Sequence, residues 1–176
     1  MTDKQPIVGV IMGSDNDFET MLPCFETLKK FGISFEVRAI SAHRTPDDAI
    51  AYSKTARQRG IRVIIAGAGA AAHLAGVLAS STTLPVLGVP ISATSLQGFD
   101  ALLSTVQMPA GVPVATFAIG NAGAQNAALF AIQILATHDD ALAARFLAFK
   151  DEMKSEVSKK DEKLQNTLSN RLKYNG

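Results

Sequence analysis

Residues 7–12 have the sequence IVGVIM, a continuous apolar run that GSD at 13–15 ends before a helical stretch begins. Apolar runs without polar alternation are typical of strands buried on both faces of a parallel sheet. The same succession of strand, turn and helix recurs along the chain and predicts an α/β fold, a three-layer α/β/α sandwich with a central parallel sheet. Further strands are predicted at 34–40, 62–66, 85–89 and 114–119, and helices at 17–31, 46–60, 70–80, 97–107 and 122–137.

The chain changes character near residue 138, which predicts one α/β domain over residues 1–138 and a helical tail over 139–176. In the tail, apolar residues recur at three- or four-residue steps in a charged background, the pattern of an amphipathic helix or two. They are Leu142, Phe146, Phe149, Met153, Val157, Leu164, Leu168 and Leu172. Two interpretations are open, because the tail either packs on its own domain or docks on a neighbouring subunit.

Charge is distributed unevenly along the 176 residues. Residues 1–60 carry 16 charged side chains and residues 138–176 carry 15, so only Arg62 and Asp100 lie between them. Polar residues and prolines interrupt this middle segment too often for the roughly 18 continuous apolar residues of a membrane-spanning helix. A monomer this small would expose part of the segment, so we expect copies of the same chain to cover it in a homo-oligomer.

Net charge and cysteine content exclude several classes of partner. The net charge of +1 offers no basic excess for nucleic acid or for a membrane surface. The single cysteine, Cys24, forms no internal disulfide and no signal-peptide pattern is present, so the cytoplasm is the expected compartment. Three scattered histidines give no metal-ligand spacing, and no Walker A sequence for ATP occurs. We therefore expect no metal and no cofactor.

The loop after the first strand is a candidate ligand site, because ligands of open parallel sheets bind at the carboxyl ends of the strands. Gly13 permits close backbone approach and Ser14 adds a hydroxyl donor at the start of a helix, as phosphate binding requires. An alternative is that Ser14 or Asp15 only caps the helix. Asp17 suits sugar hydroxyls better than phosphate.

The loop after the second strand places a hydroxyl, an imidazole and a guanidinium within four residues. Ser41 and Arg44 are the types that bind phosphate, and His43 between them is the side chain that takes and returns a proton near neutral pH. A solvated polar turn is the alternative. Pro46 then opens the next helix.

The loop after the third strand, GAGAAA at 67–72, fits the G-x-G-x-x-G/A dinucleotide pattern. That pattern also requires an acidic residue about 20 positions later for the adenosine ribose, and residues 72–99 contain no Asp or Glu. NAD is therefore disfavoured, and the small residues suit a flat wall against a planar ligand. His73 is either a second polar group in that pocket or a structural histidine.

The chain resembles the N5-carboxyaminoimidazole ribonucleotide mutases, the class I form of the phosphoribosylaminoimidazole carboxylase catalytic subunit. The resemblance covers about residues 7–138. It rests on MGSDND at 12–17, SAHRTP at 41–46, AGAGAAAHL at 66–74, PVLGVP at 85–90, VQMPAGVPVAT at 106–116 and NAALFAIQILATHD at 126–139. It implies a flavodoxin-like or Rossmann-like sheet, and a homo-octamer in which each extended C-terminal helix reaches a neighbour.

The resemblance also implies a role for each candidate residue. Ser14, Ser41 and Arg44 would bind the ribonucleotide phosphate, and Asp17 the ribose hydroxyls. His43 would carry the proton in a carboxyl shift within purine biosynthesis. The base and carbon dioxide pocket would be lined by Gly69, Ala70, Ala71, His73 and Leu74.

Two other functions are open on sequence alone. A related class carboxylates aminoimidazole ribonucleotide directly and typically has a lysine and a glycine before the proline, where this chain has Arg44 and Thr45. A non-enzymatic binding module of flavodoxin type would explain the fold and the glycine-rich loops, but not His43 beside Arg44.

Overall fold

The computed structural model describes residues 5–172. Its strands are β1 (Val8–Met12), β2 (Phe35–Ala39), β3 (Val63–Gly69), β4 (Val86–Ile91) and β5 (Ala115–Thr116). Its helices are α1 (Phe18–Lys30), α2 (Pro46–Ala56), α3 (Leu74–Ala79), α4 (Phe99–Val106), α5 (Asn121–Ala136) and α6 (Asp140–Leu172), and a short 3-10 helix spans Asp15–Asp17.

The five strands form one parallel sheet in the order β2-β1-β3-β4-β5, flanked by helices. This is the flavodoxin-like strand order, so the predicted fold class is confirmed. Every residue of β1 and β4 is buried, and β3 is buried up to its last residue, as their apolar runs predicted. Because β2, β1 and β3 are neighbours, the three candidate loops lie at the same edge of the sheet.

The edge strands are less regular than the central ones. The last three residues of β2 are exposed, because an edge strand has a neighbour on one side only. β5 was expected at 114–119 and spans only two residues. Backbone hydrogen bonds from Phe117 to Gly88 and from Gly120 to Pro90 continue beside β4 without a regular ladder.

β3 is longer than predicted and takes in Gly67 and Gly69, which were expected in a loop. Both glycines serve close packing, because a Cβ on Gly67 would lie 2.7 Å from Met21 Sδ and one on Gly69 would lie 2.6 Å from Ala93 Cβ. In a dinucleotide-binding fold the first glycine forms the tight turn after the strand. Here it pairs with Met12 inside the sheet, so the structure does not form that turn.

The chain divides into two compact units, one up to Leu135 and one from Ala136. The first contains the whole sheet and is stabilised by a buried cluster that includes Ile11, Ile64 and Leu78. The second contains α6, a single continuous helix of 33 residues whose apolar side chains Met153, Val157 and Leu164 are exposed. Nowhere in residues 5–172 is there a helix of the length and apolar character that spanning a bilayer requires.

Candidate active site

A cleft of about 430 Å³ lies at the carboxyl edge of the sheet, among the loops that follow β1, β2, β3 and β4. Nine of the ten site residues predicted from the sequence line it: Ser14, Asp17, Ser41, His43, Arg44, Gly69, Ala70, Ala71 and Leu74. The tenth, His73, does not line the cleft, but its side chain is hydrogen-bonded to that of His43. Three loops that are 30 or so residues apart in sequence thus form one cavity.

The loop after β1 is held by a capping box, in which two side chains satisfy free backbone N–H groups at a helix start. The Ser14 hydroxyl oxygen accepts the Asn16 N–H at 3.3 Å, and Asp17 Oδ2 accepts the Ser14 N–H at 2.9 Å. The Ser14 hydroxyl also donates a hydrogen bond to Asp15 Oδ1 at 3.0 Å. Ser14 therefore is a cap, and it lines the cleft as well.

Asp17 is a carboxyl group with little access to water, since its residue is only 7% exposed. Burial raises the pKa of Asp17 above its ordinary value and is the largest influence on it; the hydrogen bond from the Ser14 N–H opposes the rise, and the nearby Asp15 carboxylate adds to it. The ionised carboxylate is therefore incompletely solvated. Such a group gains from hydrogen-bond donors that a ligand brings.

Asp17→Asn is expected to raise the free energy of unfolding at pH 7, because it removes a carboxylate that burial disfavours and keeps an oxygen for the Ser14 N–H. Because burial raises the pKa of Asp17, the protonated carboxyl favours the folded protein at a pH below the unfolded pKa of Asp17. That contribution to stability is lost as the pH rises through the folded-state pKa. The gain should therefore shrink as the pH falls towards 4. Urea unfolding of both proteins across this pH range measures it; a variant less stable than wild type at pH 7 would contradict the expectation.

The loop after β2 presents Ser41, His43 and Arg44 on one short turn before α2. The Ser41 hydroxyl oxygen accepts the backbone N–H of Arg44 at 3.2 Å and its Nε at 3.4 Å. These bonds orient the guanidinium while its residue stays exposed. Positive charge is thus placed on the cleft beside a hydroxyl, as binding of a phosphate group requires.

The loop after β3 forms a wall of small side chains. Ala70 has a φ of +54°, a left-handed conformation that costs energy for a residue with a Cβ. The turn continues through short backbone contacts, from the Ala72 N–H to the Ala70 carbonyl and from the His73 N–H to the Ala71 carbonyl, both at 2.8 Å. The wall therefore presents a fixed, largely apolar surface to the cleft.

His43 and His73 are hydrogen-bonded side chain to side chain, with 2.8 Å between His43 Nε2 and His73 Nδ1. Their rings meet edge to face at an interplanar angle of 75°. One hydrogen lies between the two nitrogens, so one ring donates and the other accepts. His73 therefore contacts a side chain of the cleft without lining the cleft itself.

Gly13, which was predicted to permit close backbone approach, lines the cleft as well. Four further lining residues were not among the predicted ones: Asn16, Ala42, Ala68 and Ala93. The first three adjoin predicted residues in the same loops or strand, so their positions were the available signal. Ala93 follows β4, and its residue type carries no chemical signal. Within residues 5–172, no three side chains of His, Cys, Asp or Glu cluster closely enough to hold a metal ion.

Residues 7–156 match the model of the AIR carboxylase family. The chain belongs to the AIR carboxylase family. A relative from Bacillus subtilis (strain 168) named N5-carboxyaminoimidazole ribonucleotide mutase is 52% identical over 160 residues, which are 91% of this chain and 99% of the relative. One of the same name from Saccharolobus solfataricus is 57% identical over 152 residues, 86% of this chain and 95% of the relative.

A solved structure shares this fold. The crystal structure of Treponema denticola PurE superposes with a TM-score of 0.81 at 26% sequence identity, covering 90% of this chain and 98% of that chain. The cleft described above therefore lies in a fold that this chain shares with the PurE structure over nearly the whole of that chain.

Proposed function

We propose that the chain is an N5-carboxyaminoimidazole ribonucleotide mutase of purine biosynthesis, an isomerase that moves a carboxyl group from the exocyclic nitrogen of its substrate to ring carbon four. The observation that carries the proposal is the single cleft in which His43 and Arg44 face a wall of small residues. The names of the relatives agree with this activity. They do not favour the direct carboxylase or the non-enzymatic binding module.

The polar end of the cleft would hold the ribose phosphate. Arg44 and the hydroxyls of Ser14 and Ser41 supply donors for phosphate oxygens. The partly desolvated carboxylate of Asp17 would accept hydrogen bonds from the ribose hydroxyls. This assignment is supported by the position of all four side chains on two neighbouring loops.

His43 would serve both halves of the reaction. In its protonated form it gives a proton to the exocyclic nitrogen, and the carbon–nitrogen bond breaks with its electron pair going to nitrogen, which releases carbon dioxide. Ring carbon four then attacks carbon dioxide and forms the new carbon–carbon bond. Neutral His43 finally removes the hydrogen from ring carbon four, so the histidine returns to its starting state.

Free carbon dioxide must stay over the ring and away from water between the two halves. A wall without polar side chains serves this purpose, because it offers no hydrogen-bonding group that would retain water. We assign this part to Gly69, Ala70, Ala71 and Leu74, with His73 hydrogen-bonded to His43.

The decisive experiment offers the purified protein two substrate mixtures. One contains N5-carboxyaminoimidazole ribonucleotide; the other contains aminoimidazole ribonucleotide and bicarbonate without ATP. We expect product, 4-carboxy-5-aminoimidazole ribonucleotide, to form efficiently from the first mixture only. Comparable rates from both would assign the chain to the direct carboxylases instead.

We also propose that the protein is a homo-oligomer, most simply the octamer that the resemblance implies. In the first unit, α4 exposes Phe99, Leu103 and Val106, which share one helix face at positions i, i+4 and i+7. An apolar face of this kind in the nearly uncharged segment suits contact with another copy. Light scattering is expected to give the mass of about eight chains, and a stable monomer at micromolar concentration would refute the proposal.

A further inference from the structure

Thr45 occupies the N-cap of α2, yet its side chain does not cap the helix. A threonine at this position ordinarily accepts a hydrogen bond from a backbone N–H two or three residues later. Here Pro46 opens the helix, Thr45 has φ and ψ of −135° and 57°, and no side-chain cap bond forms. Because Thr45 does not form the capping bond that its position favours, its hydroxyl has a different role in the structure.

The Thr45 hydroxyl turns back to the backbone of Ser41. Its oxygen accepts the Ser41 N–H at 3.1 Å, and its hydrogen is donated to the Ser41 carbonyl, also at 3.1 Å. The Thr45 backbone N–H donates to the same carbonyl at 2.9 Å. Three hydrogen bonds thus join the two ends of a five-residue segment, which we call the 41–45 loop.

The 41–45 loop contains the polar groups of the cleft. Ser41, His43 and Arg44 line the cleft, whereas Thr45 does not. The Ser41 hydroxyl in turn accepts the backbone N–H and the Nε of Arg44. Thr45 therefore holds Ser41, and Ser41 orients Arg44, so the threonine acts on the site without touching a ligand.

We propose that Thr45 is a positioning residue, whose hydroxyl closes the 41–45 loop and so sets the places of His43 and Arg44 for the carboxyl shift. The inference rests on the proposed mutase function for its kinetic consequence only. The hydrogen bonds themselves do not depend on that function.

Thr45→Val removes the hydroxyl and preserves the shape of the side chain, and Thr45→Ser preserves the hydroxyl and removes a methyl group. We expect Thr45→Val to lower kcat/KM for N5-carboxyaminoimidazole ribonucleotide by about tenfold, the effect of losing one to two ordinary hydrogen bonds. Both a higher KM and a lower kcat should contribute, because Arg44 and His43 lie on the same loop. Thr45→Ser should stay within about twofold of wild type.

Asp48→Ala is the matched control, since it removes an acidic side chain from the first turn of α2 and leaves the 41–45 loop intact. It should lower the thermal midpoint without changing KM. If Thr45→Val behaves like Asp48→Ala, losing stability and keeping wild-type KM and kcat, Thr45 is only a helix residue and the proposal is wrong. An equal loss in Thr45→Ser and Thr45→Val would also overturn it.

Amide hydrogen exchange at Ser41 tests the same idea without any substrate. The Ser41 N–H should exchange faster in Thr45→Val than in wild type and Thr45→Ser, and equal rates would contradict the proposal. Should the valine variant not fold, Thr45→Ala replaces it in both experiments. A wild-type protein that is inactive on the carbamate would refute the mutase function alone, because the exchange comparison does not require activity.

Discussion

His43→Asn is expected to lower kcat by roughly 100- to 10,000-fold, the usual contribution of general acid–base catalysis. His43 is the imidazole that lines the cleft, and in the proposed mechanism it transfers the proton in both halves of the reaction. Asparagine is close to it in size and polarity but takes up no proton. Folding and ribonucleotide binding should therefore remain close to wild type, and the loss should fall on kcat.

Two other histidines provide the controls for this prediction. His138 lies outside the cleft, so His138→Asn should keep wild-type turnover. His73→Asn retains a polar atom near the position of Nδ1, which contacts His43, and its loss should lie between those of the other two variants. If His43→Asn keeps more than about a hundredth of wild-type activity, another group carries the proton.

The sheet was predictable because the central strands carry their own signal. β1 and β4 are uninterrupted apolar runs that lie buried in the middle of the sheet. Gly32 and Gly60 follow the first two helices with positive φ values of 64° and 90°, the conformation that is typical of a helix end. The edges were not predictable in the same way. The exposure of β2 and the shortness of β5 depend on which strands lie beside them. The residue types alone do not determine that order.

The candidate site was predictable as a set of residues but not as a set of contacts. Its polar residue types stand directly after strands, and the topology brings those strand ends together. The bond between His43 and His73 joins positions 30 residues apart, and the bonds of Thr45 run against the usual role of an N-cap. Contacts of this kind follow from the path of the backbone, so they required the structure.

Arg44→Ala is expected to weaken ribonucleotide binding by about 1.5 to 3 kcal/mol, the range for hydrogen bonds to charged groups. That loss corresponds to a dissociation constant roughly 10- to 150-fold higher. Among residues 5–172, the guanidinium makes a hydrogen bond through Nε to Ser41, which leaves its terminal nitrogens for a ligand. A phosphate group accepts two parallel bonds from such a fork.

Isothermal titration calorimetry with the carbamate substrate measures the loss, and the His43→Asn background keeps the substrate from being consumed. Arg44→Lys retains the charge and lacks the planar fork, so its affinity should lie between wild type and Arg44→Ala. Arg57→Ala is the matched control, because Arg57 is a cation outside the cleft that bonds to Thr83. Equal affinities for Arg44→Ala and Arg57→Ala would mean that Arg44 does not hold the phosphate, and the polar end of the cleft would need another ligand group.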